Sequence, residues 1–114
     1  MPETKLIKKH NYICLLFDYY GKLLTKRRQE ILHMSYEIDL SLSEIAERLE
    51  ISRQAVHNNI QQAILQLEEY ETVLGMVKKD RLILDNIDGI FNKYPDLQET
   101  ELAREIENLK NNIL

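Results

Sequence analysis

The sequence predicts an all-α protein, and three of its features support that fold class. Leucine, isoleucine, glutamate, lysine and glutamine dominate the 114 residues, whereas glycine occurs three times and proline twice, and this composition favours helices. Apolar residues recur at steps of three and four along most of the chain, which is the period of a helix with one buried side. Serine or threonine stands in the position of a helix cap before three of these segments.

Length, cysteine content and the first residues limit the class of protein. A chain of 114 residues is one small domain with room for an appended element, and an apolar content of 44% is sufficient for a core. The single cysteine, Cys14, cannot form an internal disulfide, which is typical of a reducing cytosol. The opening MPETKLIKKH has no long apolar stretch after its lysines, and no run approaches the length of a membrane span. We therefore expect a cytoplasmic protein without a signal peptide or a membrane-spanning helix.

The net charge of −4 is unevenly distributed along the chain. Residues 1–63 hold nine Lys and Arg against eight Asp and Glu, whereas residues 64–114 hold six against eleven. This asymmetry suggests an N-terminal helical domain at 1–63 and an acidic helical extension at 64–114. Neither part is strongly basic, which argues against tight non-specific binding to DNA.

Two helices are predicted before the central motif. The first covers about residues 4–20 and ends at Gly21, a common residue at a helix terminus. Thr25 is expected to cap the second helix, whose first turn holds Lys26, Arg27 and Arg28. The apolar residues assigned to the buried side of the first helix are Leu6, Ile13, Leu16, Phe17 and Tyr20.

The segment at about 41–63 has the pattern of a helix-turn-helix. Ser41 and Glu44 form the S-x-x-E capping box of the first helix, and Ser52 caps the second. Glu50 occupies the turn position that requires a left-handed backbone and usually carries glycine, at a cost of about 1 kcal/mol. The apolar residues with the spacing of the motif are Ile45, Ala46, Leu49, Ile51, Val56 and Ile60.

The second helix of the motif is predicted to present a polar contact surface. Arginine can bind guanine and asparagine or glutamine can bind adenine through two parallel hydrogen bonds. This surface carries one permanent positive charge, so phosphate contacts, which hold the register of such a helix, depend on flanking groups. The candidate nucleic-acid-binding residues are Arg53, Gln54, His57, Asn58 and Gln61, with Lys26, Arg27 and Arg28 as flanking anchors.

Beyond the motif, the apolar pattern predicts a long helix and a C-terminal helix. The long helix is expected to continue to about residue 92, where Tyr94–Pro95 ends it. Either it breaks near Gly75 or Gly89, or a partner buries its apolar stripe. A last helix from Asp96 carries a second stripe. The two stripes are Ile60, Ile64, Leu67, Tyr70, Leu74, Val77, Leu84, Ile87 and Phe91, and then Leu102, Ile106, Leu109 and Ile113. They indicate either a hairpin packed on itself or a dimerisation element, and a homodimer is expected.

No constellation of residues points to an enzyme, a cofactor or a small-molecule substrate. His10, His33 and His57 lie on three different predicted helices, and we expect none of them to have a partner carboxylate four residues away or a second metal ligand. Cys14 lies among apolar neighbours, which is typical of an inert buried thiol. We therefore predict a non-enzymatic protein with no metal or cofactor.

Two resemblances carry these expectations further. LLTKRRQEILHMSYEIDLSLSEIAERLEISRQAV, residues 23–56, resembles the fourth region of bacterial sigma factors, which reads promoter DNA. More of the chain resembles the YlxM family, through NYICLLFDYYGKLLT (11–25), SLSEIAERLEISRQAVHNNI (41–60) and LEEYETVL (67–74). That family consists of small bacterial helix-turn-helix proteins, usually encoded beside the GTPase of the signal recognition particle and regarded as regulators within its pathway.

The resemblance implies a sigma-region-4-like fold, a winged-helix-like three-helical core without a wing, followed by a long helix and a C-terminal helix. It also implies a regulatory protein of the signal recognition particle pathway, with the particle's RNA, its GTPase or operon DNA as partners. Two alternatives stay open: a dimeric sequence-specific DNA-binding transcription regulator, and an adaptor that binds proteins through its C-terminal stripe. HNNIQQ at 57–62 departs from both patterns. Sigma-type helices usually continue with several Lys or Arg there. YlxM relatives often carry an aromatic and an acidic residue in place of His57 and Asn58, and one or two basic residues in place of Gln61 and Gln62.

Overall fold

The computed structural model describes residues 5–113, and within them the predicted all-α fold is confirmed. Six α-helices and three short helical segments occur there, and no strand does. The helices are α1 (Lys5–Tyr20), α2 (Lys26–Leu32), α3 (Leu42–Leu49), α4 (Arg53–Leu74), α5 (Met76–Lys93) and α6 (Glu101–Ile113). They form two compact units, unit 1 up to Leu74 and unit 2 from Gly75.

Helix α4 is the central element of unit 1, because α1, α2 and α3 all pack against it. Its buried residues Val56, Ile60, Ala63 and Leu67 recur every three or four positions, so one side of the helix faces the core throughout. The side chains that the other three helices bury are Ile13, Leu16, Tyr20, Ile31, Leu32, Ile45 and Ala46. Each buried Leu, Ile or Val contributes about 1.5–3 kcal/mol to folding.

Helix α1 packs through its second half. Its predicted start at Thr4 lies outside the described residues, and its end at Tyr20 before Gly21 agrees with the prediction. The assignment of Leu6 to the buried side was wrong, since this side chain is 81% exposed. Buried positions on α1 begin at Ile13, two turns later. The apolar periodicity of the sequence therefore extends into a part of the helix that the core does not cover.

Helix α2 begins as predicted and leads into a π-helical segment, His33–Glu37. The Thr25 hydroxyl accepts a hydrogen bond from the Arg28 N–H at 3.3 Å, which satisfies one of the unpaired amides of the first turn. After the π-helical segment, Asp39 has φ of 54°, a left-handed conformation that aspartate tolerates better than most residues. The chain therefore leaves the helical conformation between α2 and the motif.

Gly75 separates α4 from α5. Its φ of 60° lies in the left-handed region that glycine adopts at low cost. Of the alternatives that the sequence left open for the long helix, a break at Gly75 is therefore the one observed. Gly89, the other candidate, lies inside α5. Helix α4 is continuous through residue 63, where the change in charge had suggested a domain boundary.

Unit 2 consists of α5, a 3₁₀ segment at Pro95–Glu99, and α6. The last helix begins at Glu101 rather than at Asp96, because the 3₁₀ turns intervene and the Thr100 hydroxyl then accepts from the Ala103 N–H at 3.3 Å. Helix α6 packs on α5, and the Lys110 ammonium lies 3.1 Å from the Asp88 carboxylate. This hydrogen bond raises the pKa of Lys110.

The predicted apolar stripe of α6 was partly wrong. Leu102 and Leu109 are 51% and 53% exposed, whereas Ala103 is buried and Ile106 and Ile113 are half-buried. The packed side is centred one residue further along the sequence than the stripe predicted. Leu74, assigned to the stripe of the long helix, is also 52% exposed. Within residues 5–113 no helix is long and apolar enough to cross a membrane.

Candidate nucleic-acid interface

The capping box that begins the motif has the predicted geometry. The Ser41 hydroxyl accepts from the Glu44 N–H at 3.1 Å, and the Glu44 carboxylate accepts from the Ser41 N–H at 3.0 Å. Hydrogen bonds from Ser41 to this carboxylate, that from its backbone N–H above all, lower the pKa of Glu44. The start of α3 is therefore fixed by two reciprocal contacts between residues three positions apart.

The turn between α3 and α4 depends on one left-handed residue. Glu50 has φ of 56° and ψ of 43°, as the sequence predicted. The N–H groups of Glu50 and Ile51 both point to the Ala46 carbonyl, which ends α3. A non-glycine residue in this conformation costs about 1–2 kcal/mol relative to a right-handed one. The rest of the motif maintains the turn, since Ile45 and Val56 on either side of it are fully buried.

Ser52 fixes the beginning of α4, where its hydroxyl accepts from the Ala55 N–H at 3.0 Å. With Val56 and Ile60 buried, the opposite side of the first turns of α4 faces solvent. All five predicted contact residues of this helix are exposed there: Arg53, Gln54, His57, Asn58 and Gln61. The structure thus brings them together on one surface, which we call the α4 face. Their contact with nucleic acid stays a prediction.

Two amides of the α4 face are held by one another. Gln54 Nε2 donates to Asn58 Oδ1 at 3.0 Å, a hydrogen bond between residues one helical turn apart. It leaves the Gln54 carbonyl and the Asn58 amide group pointing outward as an acceptor and a donor. Arg53, Gln54 and His57 also line a shallow groove with Leu42 of α3. Asn59 differs, since its Nδ2 donates to the Ala55 carbonyl at 2.9 Å along its own helix.

The three basic residues of α2 lie elsewhere on unit 1. Lys26 and Arg27 are exposed and Arg28 is half-buried. Arg28 Nη1 donates to Gln66 Oε1 at 2.5 Å, and Gln66 is thirteen residues beyond Arg53 on α4, about 20 Å along its axis. Arg28 therefore lies beside the second half of α4, and part of its guanidinium is engaged within the protein.

Three lysines of α1 were missed by the sequence analysis as candidates for phosphate contact. Lys5, Lys8 and Lys9 are exposed, and with Tyr12 they recur at the spacing of one helix face. This spacing was the available signal, and summing charge over residues 1–63 concealed it. Within 41–63, two arginines stand against three glutamates. The motif itself is therefore slightly acidic, and most of the positive charge of unit 1 lies outside it.

The histidines and the cysteine have ordinary environments. The His10 ring lies 5.0 Å from that of Tyr36, and His33 Nδ1 lies 2.7 Å from a Glu37 carboxylate oxygen. The expectation that no histidine has a partner carboxylate four residues away was therefore wrong for His33. Burial raises the pKa of Cys14, and nearby carboxylates add to this effect, so the reactive thiolate is disfavoured. In the part of the chain that the structure describes, no three His, Cys, Asp or Glu side chains are grouped to hold a metal ion.

Comparison with known proteins gives one consistent result. The sequence model of a family described as "Putative helix-turn-helix protein, YlxM / p13 like" matches residues 7–109. The UPF0122 protein of Thermoanaerobacter sp. (strain X514) is 39% identical over 109 residues, which cover 86% of this chain and 93% of the relative. A UPF0122 protein of Listeria innocua is 38% identical over 109 residues, covering 93% and 98%. That of Desulforamulus reducens is 48% identical over 73 residues, covering 64% and 62%.

Proposed function

Because this chain belongs to the UPF0122 family of YlxM/p13-like helix-turn-helix proteins, we propose that it is a non-enzymatic regulatory protein that binds nucleic acid through the α4 face. The observation that carries the proposal is the geometry of this face. A capped, buried helix-turn-helix presents Arg53, Gln54, His57, Asn58 and Gln61 together to solvent. Such side chains on the second helix of the motif are the ones that reach base edges in a groove.

The side chains of the α4 face are better suited to contacts with bases than to contacts with the phosphate backbone. Arg53 offers the planar donor pair that matches guanine, and the Gln54–Asn58 amides offer an acceptor and a donor for adenine. Each bidentate contact contributes about 1–3 kcal/mol of discrimination. With one permanent cation on the face, few counterions are released on binding. A monomer therefore binds weakly, and two copies of the motif in a homodimer supply the missing affinity.

We place this activity in the signal recognition particle pathway. The support is the resemblance of residues 11–25, 41–60 and 67–74 to the YlxM family, together with the family match over most of the chain. The target is the RNA of the particle, with its GTPase and operon DNA as the other candidates. Lys26 and Arg27, which are exposed at the start of α2, would act as additional phosphate contacts.

Fluorescence anisotropy with labelled signal-recognition-particle RNA tests this proposal at about 150 mM salt. At this salt concentration the Kd of non-specific binding is typically about 10⁻⁴–10⁻⁶ M. Unlabelled random duplex DNA is the competitor. We expect binding that survives the competitor and that is lost when Arg53 and Gln54 are both replaced by alanine. If the duplex competitor abolishes binding, operon DNA becomes the candidate target. If the double variant binds as well as the wild type, the α4 face is not the binding surface.

A dimeric sequence-specific transcription regulator is the second candidate. The hydrogen-bonded Gln54–Asn58 pair favours it, because such preorganised amides suit the major groove of duplex DNA. This function predicts that affinity for an operator falls steeply with salt, each phosphate contact adding about −0.9 to the log–log slope. A flat salt response, or no duplex binding near 50 mM salt, would exclude it.

A further inference from the structure

Unit 2 exposes a row of large apolar side chains on both of its helices. On α5, Met76, Ile83 and Ile90 are spaced by seven residues, and on α6, Leu102 and Leu109 are as well. Their exposed fractions in the whole chain are 47%, 38%, 42%, 51% and 53%. We call the last four, Ile83, Ile90, Leu102 and Leu109, the hairpin face.

The four side chains lie on the same face of the hairpin. On both helices, the residue after each one is buried or half-buried: Leu84, Phe91, Ala103 and Lys110. The residue three positions later is exposed in every case: Asn86, Lys93, Glu105 and Asn112. On each helix the apolar row therefore lies one residue before the packed positions in sequence. Since the helices are right-handed and antiparallel, the same displacement in sequence brings both rows to one face.

Unit 2 buries few apolar side chains for a unit of its size. It spans 40 residues, Gly75–Leu114, a size at which disulfides, metals or oligomerisation usually supply the missing stability. Among its described residues, Val77, Ile87 and Ala103 are the buried apolar ones. The single cysteine of the chain lies in unit 1, and no metal-binding group occurs among the described residues. Oligomerisation would add apolar burial that this hairpin lacks.

The two borders of the hairpin face carry opposite charge. On the α5 side the bordering residues, three positions after the apolar row, are Lys79, Asn86 and Lys93. On the α6 side they are Glu105 and Asn112. A face with a basic border and an acidic border is complementary to a copy of itself that is turned so that the borders exchange sides.

The register of the two helices brings specific residues to the same level. The Lys110 ammonium lies 3.1 Å from the Asp88 carboxylate. Lys93 follows Asp88 by five residues on α5, and Glu105 precedes Lys110 by five residues on the antiparallel α6. Lys93 and Glu105 are therefore level with one another, each about 7.5 Å from this ion pair along the helix axes, but on opposite borders of the face.

We infer that a second copy of this chain covers the hairpin face, with α5 against the partner subunit's α6 about a two-fold axis parallel to the helices. The four helices form an antiparallel bundle in which Ile90 packs against the partner's Leu109, and Lys93 faces the partner's Glu105. In the alternative arrangement, with α5 against α5, the two basic borders would meet. The inference rests on the homodimer proposed above and is independent of the nucleic-acid target.

Apolar-to-acid substitutions test which surface associates, with sedimentation-velocity ultracentrifugation as the readout. Ile90→Glu and Leu109→Glu should each weaken dimerisation at least about a hundredfold, because the new carboxylate would be buried between subunits. Both side chains are exposed in the single chain, so the circular dichroism spectrum should not change. Leu65→Glu, at a 58% exposed leucine of unit 1, is the matched control and should leave dimerisation unaltered.

A charge exchange tests the arrangement of the subunits. Lys93→Glu and Glu105→Lys should each weaken dimerisation about threefold to tenfold, and the double variant should restore it. Asp85→Lys, at an exposed position of α5 away from the face, is the control for charge reversal. Restoration by the double variant supports the pairing of α5 with the partner's α6, and its failure overturns that pairing.

The remaining outcomes separate this inference from the proposed function. A wild-type chain that stays monomeric at all concentrations overturns both the dimer and its interface. A dimer that Ile90→Glu and Leu109→Glu leave intact overturns the interface alone. Anisotropy measurements with signal-recognition-particle RNA, made on the same variants, report on the α4 face separately. A monomeric variant that retains weak RNA binding would show that the two activities are distinct.

Discussion

The two units of this chain fold by different means. Among the described residues, unit 1 buries twelve apolar side chains, and three of its helices pack against a fourth, α4. Unit 2 buries three and exposes more large apolar side chains than it buries. Unit 1 therefore has a core of its own that positions the helix-turn-helix, whereas unit 2 has an open surface. The comparison teaches that helical periodicity alone does not distinguish a buried core from an exposed apolar surface.

The largest expected effect is on the core of unit 1. Ile45→Ala should lower the free energy of unfolding by about 2–5 kcal/mol, because this side chain is fully buried and its removal leaves a cavity. Leu102→Ala in unit 2 should change it by about 0.5 kcal/mol or less in dilute, monomeric protein, since that side chain is 51% exposed. Urea unfolding at low protein concentration measures both. Equal effects would contradict the distinction between the units.

The next effect concerns function rather than stability. Arg53→Ala and Gln54→Ala should each weaken nucleic-acid binding by about 1–3 kcal/mol without altering dimerisation or unfolding, because both side chains are exposed on the α4 face. Asn92→Ala, which removes an exposed amide of unit 2, is the control for a general loss of surface polarity. Anisotropy titrations and ultracentrifugation on the same samples provide the two readouts. A loss of dimerisation in the α4 variants would show that the units are not functionally separate.

A smaller effect with a predicted sign comes from the turn of the motif. Glu50→Gly should stabilise unit 1 by about 1 kcal/mol, because glycine adopts the left-handed backbone of this position without a steric penalty. The same change at Glu47, in the middle of α3, should destabilise it by about 1 kcal/mol. Thermal and urea unfolding of the two variants would show opposite shifts. Stabilisation by both, or by neither, would contradict the role of the turn.

A further effect depends on pH. The folded state lowers the pKa of Glu44 below its usual 4.5 through the hydrogen bonds of the capping box. The resulting stability is present above the unfolded pKa and is lost as the pH falls through the lowered folded value. Ser41→Ala should cost about 0.5–2 kcal/mol at pH 7. Glu44→Gln, which removes the titrating carboxylate, should flatten the loss of stability between about pH 5 and pH 3, which unfolding curves across this range would detect. An unchanged acid profile in the Glu44→Gln variant would show that the carboxylate of the capping box does not contribute to the loss of stability in acid.

The features that sequence reasoning anticipated are those set by neighbours in the chain. The capping box at Ser41 and Glu44, the left-handed Glu50, the Ser52 cap and the break at Gly75 each depend on a few adjacent residues. The errors concern longer range. Leu6 and Leu109 have the correct periodicity for burial, but whether a neighbouring helix reaches them is decided by tertiary packing. The engagement of Arg28 by Gln66, 38 residues away, had no local signal either.

The left-handed Glu50 also has a consequence for laboratory evolution. Every glutamate codon becomes a glycine codon by one nucleotide change, from GAA to GGA or from GAG to GGG. The relief of backbone strain at this turn therefore lies a single mutational step away. Substitutions of this kind are among the stabilising changes that natural proteins commonly leave unused. A random-mutagenesis library of this gene, selected for retention of fold on heating, should accordingly yield E50G among its earliest survivors.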